Sequence, residues 1–314
     1  MTDFYAGVDL GGTNIAFALA DAEGRILDRA AIPTASHEGP QGVLARIAAQ
    51  ILKMTPHPRA LGMGVPGLID LDRGITRFFP NFPTQWRDVP VADILSARLN
   101  CPVRLLNDAR AAALGELTFG KGKSARTMVF FTLGTGIGGG VVVDGKLHLG
   151  PLGAAGELGH QTILPDGPLC GCGNHGCLEA LASGPAITAE GVRLMKAGLA
   201  PKLYAAVDGD AGQVTPKIMT EAALAGDSAV HDALLRAARF LGIGVANMVT
   251  ALHPDLIVLG GGVAGIGGLL FDTVRATVHA RVRMFPVDGV RIEPSALGDA
   301  AGVLGAIALA RSAA

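Results

Sequence analysis

Eleven residues, CGCGNHGCLEA from Cys170 to Ala180, hold three of the four cysteines of this chain, and His160 stands ten positions before the first of them. The spacing His-x9-Cys-x-Cys-x4-Cys offers one imidazole and three thiolates, the donor set with which zinc closes a tetrahedral structural site. Gly171, Gly173 and Gly176 separate the thiols. Burial alone gives no reason for glycine there, whereas a backbone wrapping tightly around an ion does. His175, inside the loop, competes with His160 as the fourth ligand. A thiol redox centre would need Cys-x-x-Cys, and a nucleic-acid knuckle would need basic or aromatic neighbours; the stretch has neither.

Carboxylates flank this cluster and recur at strand ends. Glu157 precedes His160 by three residues and Glu179 follows Cys177 by two, so a metal held by Cys170, Cys172 and Cys177 would fix both acids in one place. Asp9 closes an apolar run just before Gly11-Gly12-Thr13, where it can carry a hydrated magnesium ion while the turn offers N–H groups and a hydroxyl to phosphate. Asn107-Asp108 follows the run Pro102 to Leu106 and opens an alanine-rich helix. One of the two suffices as a helix cap. The pair together can orient and deprotonate a hydroxyl, which is general-base chemistry.

Several glycine loops imitate nucleotide motifs. Gly115 to Lys121 starts like a Walker A loop but has Gly122 where a serine or threonine must hold magnesium. Gly134-x-Gly136-x-x-Gly139 has the dinucleotide spacing, yet it runs into three valines and an Asp144-Gly145 hairpin instead of a helix. Gly260-x-Gly262-x-x-Gly265 does lie between a strand and a helix and keeps a nicotinamide-binding alternative open, at the cost of leaving the cysteine loop and the first glycine turn unexplained.

The elements that must position these groups alternate. YAGVDL, LGMGVPGLID, VRLLND, MVFFTL and DLIVL read as strands, while VLARIAAQILKM, VADILSARL and SAVHDALLRAARFLGIGVANMVTAL have helical spacing; Asp227 is placed to cap the last of these, which must stop before Pro254. The class is α/β. Leu10-Gly11-Gly12-Thr13 and Leu133-Gly134-Thr135-Gly136 form a weak internal repeat, which predicts two lobes, each with a phosphate loop, and a substrate cleft between them. With 26 Lys and Arg against 27 Asp and Glu and no run of like charge, nucleic acid is not an expected partner. Mean hydropathy is high, at +0.41. Uncharged runs such as Leu256 to Phe271 still fall short of the ~18 apolar residues of a membrane span. The opening MTDFYAGVDL lacks the features of a secretory signal, so a reducing, cytoplasmic setting is expected.

Taken together, GVDLGGTNI, GVPG, NDARAAALGE, FFTLGTGIGGG, GELGH, CGCGNHGCLE and VLGGGVA resemble the motifs of the ROK sugar kinases and repressors across nearly the whole chain, most of all the bacterial glucokinases of that family. The resemblance implies an actin-like ATPase (ribonuclease H-like) fold of two α/β lobes, residues 1–116 completed by a returning helix at 300–314, and residues 117–299 carrying the zinc loop. It implies ATP-dependent phosphorylation of a hexose 6-hydroxyl with Asp108 as base. Gly67, Asn81, Asn107, Glu157, His160 and Glu179 would bind the sugar. Asp9, Gly11, Gly12, Thr13, Gly134, Thr135 and Gly136 would serve the phosphates, and Gly260, Gly261 and Gly262 the adenosine. Magnesium comes with ATP, and zinc braces the pocket. His160 is preferred over His175 because a metal-bound imidazole there keeps its second nitrogen for a sugar hydroxyl. A homodimer or homotetramer is expected. Alternatives are an N-acetylmannosamine or N-acetylglucosamine kinase, a fructokinase, a polyphosphate-using kinase, or a sugar-responsive repressor, whose helix-turn-helix would have to precede Asp9, where there is no room.

Overall fold

The computed structural model describes residues 4–79, 82–83 and 85–313. The chain begins with a meander of β1 (Tyr5–Leu10), β2 (Asn14–Ala20) and β3 (Ile26–Pro33). It continues through α1 (Gly39–Met54), β4 (Ala60–Val65), the short β5 (Leu68–Asp70) and β6 (Ile75–Phe78), α2 (Val91–Leu99), β7 (Val103–Asn107) and α3 (Asp108–Phe119). A second succession follows: β8 (Met128–Leu133), β9 (Ile137–Val143), β10 (Lys146–His148), then α4 (Leu178–Ala182), α5 (Gly184–Lys196), α6 (Pro201–Ala206), α7 (Pro216–Leu224) and α8 (Ser228–Leu252). It ends with β11 (Leu256–Gly260), α9 (Gly268–Arg281), β12 (Arg291–Pro294) and α10 (Ala301–Arg311).

Two five-stranded sheets share one order, β3-β2-β1-β4-β7 and β10-β9-β8-β11-β12. β4 and β7 continue parallel to β1, as β11 and β12 do to β8. Each glycine turn of the sequence repeat therefore sits at the end of the first strand of its sheet. The hairpin at Asp144-Gly145 is present, both residues having positive φ, 50° and 71°, as a tight primed turn requires.

By contacts the chain forms two compact units. The first comprises residues up to Ala125, Gly140–Gly156 and residues from Ala296 on; the second comprises Arg126–Gly139 and Glu157–Ser295. The first unit thus runs past the expected edge at residue 116. Glu116, fully buried, explains this. One of its carboxylate oxygens accepts from the Lys121 N–H at 2.9 Å and the other from the Leu297 N–H at 3.1 Å, tying both segments to the end of α3.

In the first unit, one sheet face is covered by α1 through Val43, Leu44, Ile47, Ala48 and Ile51, the stripe that a 3.6-residue period creates. The other face receives α10. A Cβ on Gly7 would lie 2.5 Å from the Val303 carbonyl and one on Gly62 would lie 1.9 Å from that of Ala306. These two glycines are register partners across β1 and β4, so the paired strands form a flat seat on which a helix of small residues lies flush. In the second unit α8 is long and apolar enough to cross a membrane by composition alone, with mean hydropathy 1.2 over the best window. Its stripe of Val230, Leu234, Leu241, Val245 and Val249 is buried, and it packs against α7 and α9, as a core helix does. It stops at Leu252, two residues before Pro254. Asp227 does not cap it: the buried carboxylate turns away to accept from the Lys202 and Leu203 N–H groups at 3.1 and 3.2 Å, at the start of α6.

Candidate functional site

The chemistry of the first unit gathers at the end of β1 and the head of α3. Asn107 is the N-cap of α3, its Oδ1 accepting from the Ala109 and Arg110 N–H groups at 3.1 and 3.4 Å. Asp108, the first helical residue, accepts from the same Ala109 N–H through Oδ1 at 2.7 Å. Both members of the pair therefore face the helix terminus, where the peptide dipoles favour negative charge. Asp9 stands beside them: a Cβ on Gly64 would lie 3.5 Å from both Asp108 Cα and Asp9 Oδ1, and one on Gly302 would lie 2.3 Å from Asp9 Oδ2. Burial, and then the neighbouring Asp108 charge, push the Asp9 carboxyl up to about 7. A crowded pair of carboxylates of this kind is relieved by a cation.

The adjoining turn Gly11–Thr13 is fastened from β3's far end. Thr34, fully buried, donates its hydroxyl to the Gly11 carbonyl at 2.7 Å and its N–H to the Thr13 carbonyl at 2.8 Å. Sequence reasoning missed Thr34, which has no local motif. Gly67 is also in this unit; its carbonyl accepts from Asn107 Nδ2 at 3.3 Å. Asn81 lies outside the described residues.

In the second unit the cysteine loop brings four candidate ligands together. His160, Cys170, Cys172 and Cys177 place their ligand atoms within 4.8 Å of one another. Cys172 and Cys177 Sγ are 3.7 Å apart, as are Cys170 Sγ and His160 Nδ1. Tetrahedral arms of ~2.3 Å give edges of about 3.8 Å. His175 is not among the four candidate ligands, and its Nδ1 donates to the Gly167 carbonyl at 3.1 Å. Gly173 and Gly176 have φ of 91° and 65°, and a Cβ on Gly176 would strike the Leu164 carbonyl; the tight wrap needs glycine at both. Burial and the neighbouring thiols push Cys177 up to about 12 and burial raises Cys170, while the Asn174 N–H lowers Cys172. Three neighbouring thiols and an imidazole are a donor set that suits a metal centre.

The metal-type cluster is wired to the second glycine loop. Cys170 Sγ lies 3.8 Å from Glu179 Oε1, and Glu179 Oε2 accepts from the Ile137 N–H at 2.8 Å. A Cβ on Gly136 would lie 2.4 Å from that oxygen. Gly134 is held in turn by the Gly184 N–H at 2.9 Å. The Glu157–His160 turn packs on β9, since a Cβ on Gly159 would strike the Ile137 carbonyl and one on Gly139 the Leu158 side chain. Glu157 Oε2 is 3.9 Å from His160 Nε2, the nitrogen not turned to the thiols. Gly260–Gly262 lie beside the end of β8, a Cβ on Gly261 falling 2.5 Å from the Leu133 carbonyl.

Three of the loop glycines share an independent signature. At Gly12, Gly134 and Gly262 a Cβ would meet nothing within 4 Å, and none has positive φ. Neither packing nor conformation requires glycine there. The missing side chain leaves open space over the backbone at these three positions.

The ROK family pattern matches residues 5–313. The glucokinase of Thermotoga maritima is 39% identical over 315 residues, covering 96% of each chain. The structure of a ROK family glucokinase from Streptomyces griseus in complex with glucose and AMPPNP superposes with a TM-score of 0.86 at 35% identity, over 98% of this chain and 99% of that one. A xylose repressor from Caldicellulosiruptor bescii is 35% identical over 249 residues, which are 79% of this chain and 61% of the repressor.

Proposed function

This chain belongs to the ROK family, and from that premise we propose that it transfers the γ-phosphoryl group of ATP to the 6-hydroxyl of a hexose, with glucose preferred. It is a hexose kinase, and its α/β fold is the actin-like ATPase fold. The enzyme reading is favoured over the repressor reading because the glucokinase matches are higher in identity and extend over nearly the whole of both chains.

The observation that carries the mechanism is the Asp9–Asp108 pair at the head of α3. Phosphoryl transfer asks a protein to place two reactants in line and to stabilise charge, with a base to take the hydroxyl proton. Asp108 takes that proton, its Oδ1 steadied by the Ala109 N–H. Asp9 would hold the hydrated magnesium ion that comes with ATP, which would supply positive charge against the phosphoryl oxygens. Gly11, Gly12, Thr13, Gly134, Thr135 and Gly136 serve the phosphates, while Gly260 to Gly262 meet the adenosine. Asn107, Gly67, Asn81, Glu157, His160 and Glu179 hold the sugar. His160, Cys170, Cys172 and Cys177 would hold a zinc ion, whose role would be to fix His160 and Glu179 and not to take part in the chemistry; the donor set and its spacing fit. The enzyme works in the cytoplasm as a homodimer or homotetramer.

The test is a coupled ADP-release assay over glucose, mannose, fructose, N-acetylglucosamine and N-acetylmannosamine. The expected result is the highest kcat/KM with glucose. ADP release with an N-acetylhexosamine alone would replace the substrate, and none with any sugar would overturn the enzyme reading.

A further inference from the structure

We infer that Arg110 is a positioning residue for sugar recognition: it locks Asn107 in one orientation and makes that amide a donor, and only a donor, toward the substrate. The inference rests on the hexose kinase reading of the site.

Arg110 is 1% exposed. A guanidinium withdrawn from water is strongly unfavourable unless its N–H groups are satisfied. Its Nε and Nη2 donate to the carbonyls of Ala155 and Ala154 at 2.9 and 2.8 Å, and Nη1 donates to Asn107 Oδ1 at 2.9 Å. These bonds hold the loop end at residues 154–155 and the cap of α3 to one another.

The orientation of the Asn107 amide follows from its partners alone. Arginine and backbone N–H groups only donate, so the atom facing Arg110 Nη1 and the Ala109 and Arg110 N–H groups must be the oxygen. Three donors occupy its two lone pairs. The atom facing the Gly67 carbonyl at 3.3 Å must be the nitrogen. Its second N–H is the group these bonds leave for substrate. A sugar hydroxyl meeting Asn107 must therefore accept, which keeps that hydroxyl's own proton for a carboxylate, and Asp108 is the next residue along. Of the donors on Oδ1, Arg110 Nη1 is the only charged one and the closest, so it contributes most to preventing an amide flip.

The experiment is steady-state kinetics on Arg110→Met and Arg110→Lys, alone and in an Asn107→Ala background, varying glucose and ATP separately. Arg110→Met is expected to raise the KM for glucose about tenfold or more, the size of one charge-assisted hydrogen bond, with the KM for ATP within about twofold. Arg110→Lys, which keeps the charge but not the fork, should give a smaller rise in the same parameter. In the Asn107→Ala background the effect of Arg110→Met on glucose KM should fall to about twofold or less, because the group through which it acts is gone. A structural role would instead lower the active fraction equally in both backgrounds. Unchanged glucose KM in folded Arg110→Lys and Arg110→Met, or an undiminished effect without Asn107, overturns the inference while leaving the kinase reading standing. A wild-type protein inactive on every hexose overturns both.

Discussion

Replacing Asp108 by asparagine separates chemistry from folding more cleanly than any other change at this site. The side chain keeps its size, and an amide oxygen can still accept from the Ala109 N–H now bonded at 2.7 Å. The lost charge at the first turn of α3 costs ~0.3 to 1 kcal/mol of helix stabilisation. An opposing effect comes from Asp9, whose carboxyl is held at about 7 by burial and then by Asp108. Removing the second charge lets Asp9 ionise more easily, which recovers stability at pH 8. The two oppose each other, so the melting temperature should move by no more than about 3 °C. A protein with ~5 to 15 kcal/mol of stability stays folded through such a change. A positioned base contributes ~10^2 to 10^4 in rate, or roughly 3 to 5 kcal/mol of barrier. Asp108→Asn should therefore lower kcat by at least a hundredfold in the coupled assay, with glucose KM, metal content and melting temperature close to wild type. A kcat within tenfold of wild type in a folded, metal-replete variant would remove Asp108 as the base and the mechanism with it.

Cys172→Ala should lose bound zinc, measured by elemental analysis, and sugar phosphorylation together. The path is explicit in the contacts from Cys170 Sγ to Glu179 and from Glu179 to the Ile137 N–H beside the second glycine loop; activity retained in zinc-free protein would refute the bracing role. Asp9→Asn should show a signature in pH. Because the folded carboxyl titrates near 7 against 3.8 unfolded, the folded protein binds the proton more tightly; the stability this gives is complete below pH 3.8 and lost as pH rises through 7. That loss is on the order of 4 kcal/mol. Nucleotide-free Asp9→Asn should gain melting temperature over wild type progressively from pH 4 to 7, level off above it, and have little activity throughout; parallel pH curves for the two proteins would mean that Asp9 is not the perturbed group.

What the sequence made legible are features whose chemistry constrains residue type locally. Glycine is needed where φ is positive, as at Gly173 and Gly176, and three thiols with an imidazole at fixed spacing have few uses other than a metal. Hairpins and helix stops are local for the same reason, which is why Asp144-Gly145 and Pro254 marked real boundaries. The reading failed where a side chain's partner lies far along the chain. Asp227 has the type and place of a helix cap, and only the fold reveals that its carboxylate turns to α6 instead.

The alanine-rich helix α3 states that limit most sharply. ARAAALGEL has no apolar stripe distinct from a polar one, so nothing local marks its charged residues as buried, yet Arg110 and Glu116 are both buried with the alanines around them. Apart from Asn107, the partners described here are backbone groups of Ala154, Ala155, Lys121 and Leu297. Every residue type has a carbonyl, and all but proline an N–H, so such partners leave no mark on a sequence. Burying Arg110 and Glu116 in the helix that starts with the proposed base is unfavourable in itself; it is sustained because each side chain fastens a distant piece of chain to that helix. The residues proposed to carry chemistry were therefore picked out by type and spacing, whereas those that hold them in place act through backbone and become visible only in the folded chain.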